Sequence, residues 1–457
     1  MERLREASCP IAAHELQLDR LAMAAVNCNY FYLTRRRSKQ QQGEFHSCAL
    51  CWREAAAWSG PARPRMLTWL TSAATSTTHG SMGGVKAVFS DLDGTLVHFP
   101  KWFEAHGSKI VRRDPAAGTA TVRSPDGQER ACRLLPSSTM GDGLVSERTV
   151  ELIDELRSLG VLFVVVTAAR KSTLLERLPL LPAVDVAVGE TGSRIYVDGV
   201  LDEAWAAGLR EVCGPLEREM PLEERPEVLW RWLRRLQEVP GLKVDGRSYY
   251  GCFRADTKGS AEVEAELLKV IDAELPAQLD WAMNLGKVGP RPAHDRPGPS
   301  PWLAPPQAHA QAGAPPLAVR LVPSLPMPPL HLAYLWQYDF YPRASGKGNA
   351  VAHLQRRYGL APAQCVALFD DDNDLPMARR CEGGQLLPGL TSKSVARAAL
   401  EHPEWTVAAR AGQGVFAIEE LLEVLLEQAR SEGREADALG TPEAAAAAEG
   451  LVLPREA

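Results

Sequence analysis

The chain has no uninterrupted apolar run near the roughly 20 residues that a bilayer-spanning helix needs, so no transmembrane helix is expected. It also lacks an excess of positive charge: 51 Lys and Arg stand against 57 Asp and Glu, a formal net charge of -6. A nucleic-acid binder needs concentrated Lys and Arg, and this balance speaks against one. The nine cysteines follow no repeating spacing, which argues against a disulfide framework and for reduced thiols. Cys48 and Cys51, with Cys28 and His46 upstream, are followed by no second pair, so no zinc site is expected there. Acidic residues are missing between Glu54 and Asp91, and a basic run (Arg35, Arg36, Arg37) precedes that gap. Both suit an organelle transit peptide, whereas Glu2, Glu6, Glu15 and Asp19 do not. Residues 1–81 read as a disordered leader or as a mis-assigned N-terminus, because Met82 falls just before the first convincing strand. The expected location is the cytoplasm, or a chloroplast or mitochondrion if the leader is a transit peptide.

What is present is an ordinary globular composition, 45% apolar and 24% charged over 457 residues, with room for two or three domains. From Val85 onward, short apolar runs alternate with helical periodicities. "VKAVFSD", "VLFVVVT" (161–167), "VDVAVGE" (184–190) and "CVALFD" (365–370) read as buried parallel strands. Ser146 is placed to cap a helix carrying Val150, Ile153, Leu156 and Leu159, which Gly160 ends. Another helix is predicted over "GNAVAHLQRRYG". This order predicts an α/β fold, a doubly wound parallel sheet with a Rossmann-like core.

Two interruptions divide it. Residues 98–145 alternate around "SPDG" and predict a β-hairpin flap. Residues 200–335 predict an inserted α+β cap, with helices near 223–239 and 260–273 and strand-like "LKVDGRSYYGCFRAD" and "LDWAMNL". Within it, residues 289–330 hold 13 of the 34 prolines and are expected to be a disordered loop. The core domain is thus assigned to 82–199 and 336–432, with 433–457 as a disordered tail after a helix over 415–432.

The chemistry concentrates where strands end. In parallel sheets ligands bind at the carboxyl ends, and there stand Asp91 and Asp93, Thr167, and Asp370 with Asp371, Asp372 and Asp374. Carboxylates this close cannot all be charged cheaply unless a cation sits among them or one keeps a proton. Magnesium, which takes oxygen ligands and retains waters for a phosphate, answers that need. "ASGKGNAV" is not a nucleotide cradle, since Tyr341 stands where a Walker glycine is required. "DDDND" lacks the spacing and closing Glu of a calcium loop. The aromatics of "AYLWQY" and Trp302 read as core or loop rather than as a sugar platform.

"DLDGT", "VVVTAAR", "ASGKGNAV" and "LFDDDNDLPMA" appear in an order that resembles the four motifs of the haloacid dehalogenase-like hydrolases. A cap between the second and third motifs resembles the branch of sucrose-phosphate phosphatases, phosphomannomutases and Cof-type sugar phosphatases. "ETGSRIY" and "DFYPRASGKG" lean toward the sucrose-phosphatase-like group. The resemblance implies a magnesium-dependent phosphatase acting on a small phosphomonoester, with a phosphosugar mutase or a non-catalytic sugar-phosphate binder as alternatives. It makes Asp91 the nucleophile and Asp93 the general acid and base. Thr167, Lys347, Leu92 and Asp93 would hold the phosphoryl group. Mg2+ would bind Asp91, the Asp93 carbonyl, Asp370 (or Asp371) and Asp374, with Gly94, Thr95 and Asn373 in support. Phe369 departs from the motif, where glycine is usual, and would crowd the metal ligand. In the cap, Arg254, Lys258 and Asp339 are candidate substrate contacts.

Overall fold

Ala87–Ser90 has no solvated face: all four residues are buried, and they form the central strand β1 of the computed structural model. The structure describes residues 84–439 apart from 137–140, 217–219 and 285–336; the expected leader, the proline-rich loop with Trp302, and everything after Leu439 fall outside the described residues. A strand buried on both faces needs parallel neighbours and helices above and below. The chain first detours through helix α1 (Pro100–Phe103) and strands β2 (Lys109–Asp114), β3 (Thr119–Arg123), β4 (Glu129–Leu134) and β5 (Leu144–Ser146). Helix α2 (Glu147–Ser158) then starts where the Ser146 side chain accepts from the Thr149 N–H, the cap its sequence predicts. Strand β6 (Leu162–Val166), helix α3 (Lys171–Arg177) and strands β7 (Val186–Gly189), β8 (Arg194–Val197) and β9 (Val200–Leu201) complete this half.

The second insertion carries α4 (Glu203–Cys213), α5 (Val228–Gln237), β10 (Lys243–Asp245), β11 (Phe253–Asp256), α6 (Ala261–Glu274), β12 (Leu279–Asn284) and β13 (Gln337–Pro342). The chain returns through α7 (Lys347–Tyr358), β14 (Cys365–Leu368), α8 (Leu375–Ala378), β15 (Gly384–Leu387), α9 (Lys393–Glu401), β16 (Thr406–Val407) and α10 (Val415–Leu439). Helix α10 thus runs on to Leu439 rather than stopping at 432.

The main sheet has the order β16-β15-β14-β1-β6-β7-β8-β9. It is parallel from β16 to β7, and β8 and β9 add antiparallel at one edge. Side chains alternate across it. Val88, Val165 and Leu368 pack with Leu152, Ile153 and Leu156 of α2 and Leu421 and Leu425 of α10. Phe89, Val164 and Ala367 pack with Ala350, Val351 and Leu354 of α7 on the opposite face. From β1 the chain moves to β6 on one side and returns to β14 on the other, so β1 stands at a topological switch point. Loops diverge there and open a crevice at the carboxyl ends.

The flap differs from the expected hairpin. It is a four-stranded antiparallel sheet, β2-β3-β4-β5. A lone hairpin is marginal in water, whereas here Ala120, Val122, Cys132 and Leu144 share an apolar cluster with Phe103, Val415 and Phe416. The second insertion forms another antiparallel sheet, β10-β11-β13-β12. Phe253, Tyr338, Phe340, Leu279 and Met283 pack there with Leu209, Trp230, Leu233 and Leu267 of the helices. Tyr338, from the aromatic run at 334–338, is therefore core. All five cysteines among the described residues are free and buried.

Candidate active site

Strand β1 continues its pairing one residue beyond its end, where the Asp91 N–H donates to the Leu368 carbonyl at 2.9 Å. The next residues turn sharply: the Gly94 N–H reaches the Val97 carbonyl, and the Leu96 and Val97 N–H groups reach the Leu92 carbonyl. Leu92 is fully buried in the apolar core, so only its backbone can face a phosphate. Gly94 has φ +108, and a Cβ there would lie 2.3 Å from Asp370 Oδ2. The glycine lets the Asp370 carboxylate approach the loop, and Thr95 Oγ1 donates to Asp370 Oδ1 at 2.7 Å. "GT" after "DLD" is thus a seat for an aspartate 275 residues away in sequence.

Lys347 opens α7 behind Gly346, whose φ of +89 favours glycine. Its Nζ lies 2.5 Å from Asp91 Oδ1 and 2.6 Å from Asp374 Oδ1, and its side chain is 1% exposed. Oxygens of Asp91, Asp370 and Asp374 all lie within 4.8 Å of one another, and all three residues are buried. Asp371 does different work: its side chain accepts from the Asp372 N–H at 2.8 Å and caps the short turn Asp372–Asp374. Asp372 accepts from Ser392 Oγ. Thr167 follows β6, its N–H bonded to the Val188 carbonyl and its Oγ1 accepting from the Ala169 N–H at 3.1 Å.

Burial dominates the electrostatics. Loss of water, followed by repulsion from Asp91, Asp371 and Asp374, holds the Asp370 carboxyl well above the usual range. Asp374 is pushed up to about 8 by burial and by Asp91, against the opposing pull of Lys347. Lys347 is itself raised: burial lowers it, and Asp374 and Asp91 more than reverse that. Fully ionised, the three carboxylates would exceed the one ammonium by two charges, and without a further cation burial and mutual repulsion favour the protonated forms of Asp370 and Asp374. Buried Asn373 Oδ1 also has no hydrogen-bond partner. An all-oxygen donor set with surplus negative charge suits a hard divalent cation such as magnesium.

Asp93 is tied elsewhere. Arg177, at the end of α3, donates from Nη1 to Asp93 Oδ1 at 2.6 Å. The sequence reading missed Arg177; its one signal was position, three residues after buried Leu174 on a short helix. His98, also buried, has its pKa lowered to about 3 by desolvation. Phe369 does not crowd Asp370: it is fully buried, in the layer with Phe89 and Ala367, and its ring meets Trp405 edge-on at 5.4 Å. Arg254 and Asp339 pair with each other at 2.7 Å, and Lys258 pairs with Asp256 at 2.6 Å.

No family model and no curated protein matches the chain. Solved structures do. One is the sucrose-phosphatase of Synechocystis in complex with sucrose and phosphate, 13% identical, covering 76% of this chain and 98% of that one, TM-score 0.43. A Thermoplasma acidophilum protein is 11% identical over 75% of this chain and 100% of its own, TM-score 0.40. A phosphatase of the haloalkanoate (HAD) superfamily from Bacteroides thetaiotaomicron is 13% identical over 78% and 98%, TM-score 0.37. All three likenesses run over about three quarters of this chain at 11–13% identity.

Over the site, strand β12 of the second insertion packs against the turn Asp372–Asp374. Arg170, which precedes α3, lies 3.5 Å from Asp245 and 4.8 Å from the Tyr249 ring in the same insertion. Glu190 Oε2 accepts from the Tyr250 and Gly251 N–H groups at 2.8 and 3.0 Å. The second insertion therefore sits on the sheet edge that carries the aspartates.

Proposed function

We propose that the protein is a magnesium-dependent phosphatase that hydrolyses a small phosphomonoester, a sugar phosphate by the resemblance of its motifs. The observation that carries this is the convergence of Asp91, Asp370 and Asp374, from the carboxyl ends of adjacent strands, with Lys347 at the start of α7. Phosphoryl transfer asks mainly for in-line positioning and charge neutralisation, and this cluster supplies both. Asp91, Asp370, Asp374 and the Asp93 carbonyl would hold the metal, which when bound neutralises phosphoryl charge.

An Asp91 carboxylate oxygen attacks phosphorus and the ester P–O bond breaks. The departing oxygen takes its proton from the Asp93 carboxyl. Water then attacks the aspartyl-phosphate and loses a proton to Asp93. The bond between phosphorus and Asp91 breaks, which releases orthophosphate and restores both carboxyl groups. Thr167 already accepts from the Ala169 N–H, so its hydroxyl hydrogen remains to donate to a phosphoryl oxygen, and the Lys347 ammonium can do the same. The insertion over the site would act as a cap, which favours a small substrate and shields the phosphoryl group from bulk water as it is transferred to Asp91.

The test is orthophosphate release from a panel of sugar phosphates, with magnesium and with EDTA, for the wild type and Asp91→Asn. Metal-dependent release that Asp91→Asn abolishes, with the fold intact, supports the reading. Normal turnover by Asp91→Asn refutes the nucleophile. Isomerised sugar phosphate in place of free phosphate would mark a mutase, and binding without turnover a non-catalytic relative.

A further inference from the structure

Arg177 is one of the largest fully buried side chains among the described residues, at 1% exposure, yet it lies on a helix of only seven residues. Burying a guanidinium is costly unless a partner compensates. Here that partner is Asp93, whose Oδ1 accepts from Nη1 at 2.6 Å. The Asp93 backbone is fixed as well, since Asp93 bridges to Val97 across the turn. Two side-chain torsions remain, and two neighbouring charges act on them. Asp91, two positions back, repels the Asp93 carboxylate, and Lys347 attracts it. A swing toward Lys347 would bring Asp93 to the ammonium that Asp91 and Asp374 already share.

We propose that Arg177 is a positioning residue that holds one oxygen of Asp93 and leaves the other to meet the ester oxygen of the substrate. This rests on the phosphatase reading above. The proton moves from the Asp93 carboxyl to the ester oxygen as the P–O bond breaks, and Arg177 keeps its charge and its protons throughout. A guanidinium suits the task because it cannot exchange protons with Asp93 near neutral pH. A buried lysine could.

The experiment compares two substrates with opposite demands on Asp93. A sugar phosphate releases an alkoxide that must be protonated; p-nitrophenyl phosphate releases a stable phenolate that need not be. Because kcat/KM reports steps only up to expulsion of the leaving group, it isolates this half of the reaction. For Arg177→Gln, kcat/KM on the sugar phosphate is expected to fall about 100-fold, within the range of general acid catalysis. On p-nitrophenyl phosphate it should fall less than about 5-fold, so the ratio between substrates is the readout and a global loss of folding cancels from it. Asp93→Asn should shift the ratio in the same direction. Arg177→Lys, which keeps a buried cation, should retain more of the sugar-phosphate activity than Arg177→Gln. Guanidinium ion at millimolar concentration should restore part of that activity in Arg177→Ala and have no such effect on Asp93→Asn. Equal losses on both substrates, or none, in variants that stay folded would overturn the positioning role while the phosphatase reading stands. A wild type that hydrolyses neither substrate would remove the phosphatase reading, and this inference with it.

Discussion

Replacing Gly94 with alanine tests whether the site is built as described. The new Cβ would sit 2.3 Å from Asp370 Oδ2 and 2.7 Å from its Cγ, where ordinary contacts begin near 3.4 Å. The Asp370 carboxylate must therefore retreat by about 1 Å, a misplacement that can cost on the order of 100-fold in rate. Forcing a side chain into φ +108 adds about 1–2 kcal/mol of backbone strain. Gly94→Ala is accordingly expected to lose about 100-fold in kcat for phosphate release and about 1–3 kcal/mol in urea-derived stability. Magnesium affinity, measured by calorimetry, should fall at least about tenfold, the equivalent of roughly 1.4 kcal/mol. Thr95→Val separates orientation from strain, because it removes only the 2.7 Å hydrogen bond to Asp370 Oδ1. It should cost about 1–3 kcal/mol in stability through the unpaired carboxylate oxygen, with no backbone penalty. Wild-type kcat and magnesium affinity in Gly94→Ala would refute the seating of Asp370 against this turn.

Three further outcomes are expected. Lys347→Gln leaves Asp91 and Asp374 buried without their shared cation, so unfolding free energy in urea titrations should drop by about 3 kcal/mol, and Asp374, already raised with Lys347 present, should rise further; unchanged stability would refute the pairing. His98 has a folded pKa of about 3 against an ordinary value of 6.5, so its contribution is complete above pH 6.5 and is lost as pH falls toward 3; about 1.4 kcal/mol should be gone at pH 5.5, and His98→Gln should flatten that slope in urea titrations. Arg170→Ala removes the contacts to Asp245 and Tyr249; KM should rise up to about 5-fold with kcat nearly unchanged, since such half-exposed pairs contribute about 1 kcal/mol or less. A fall in kcat alone would show that Arg170 does something other than hold the second insertion.

What could be read from sequence divides along a physical line. Strands β1, β6, β7 and β14 were legible because a parallel strand buried on both faces is a short continuous apolar run, and the polar residue that ends it marks the carboxyl edge. Two strands of the flap, and the cluster they form with Phe103 and Phe416, were not legible. Their apolar alternation is satisfied by α10, whose start lies far along the chain. Within the site, Gly94 and Thr95 were recognised as a motif, but the reason for them is a carboxylate 275 residues away. Arg177 lay beyond any local rule: an arginine among leucines reads as a helix-surface residue, and only the fold shows it meeting Asp93 84 positions earlier. Phe369 makes the opposite case. By sequence it was a flaw beside a metal ligand, yet strand alternation turns it into the core against Trp405 while Asp370 reaches Thr95. The period of a strand decides which neighbour of a site residue can be large: the residue immediately before Asp370 can be bulky, because its side chain leaves through the other face of the sheet.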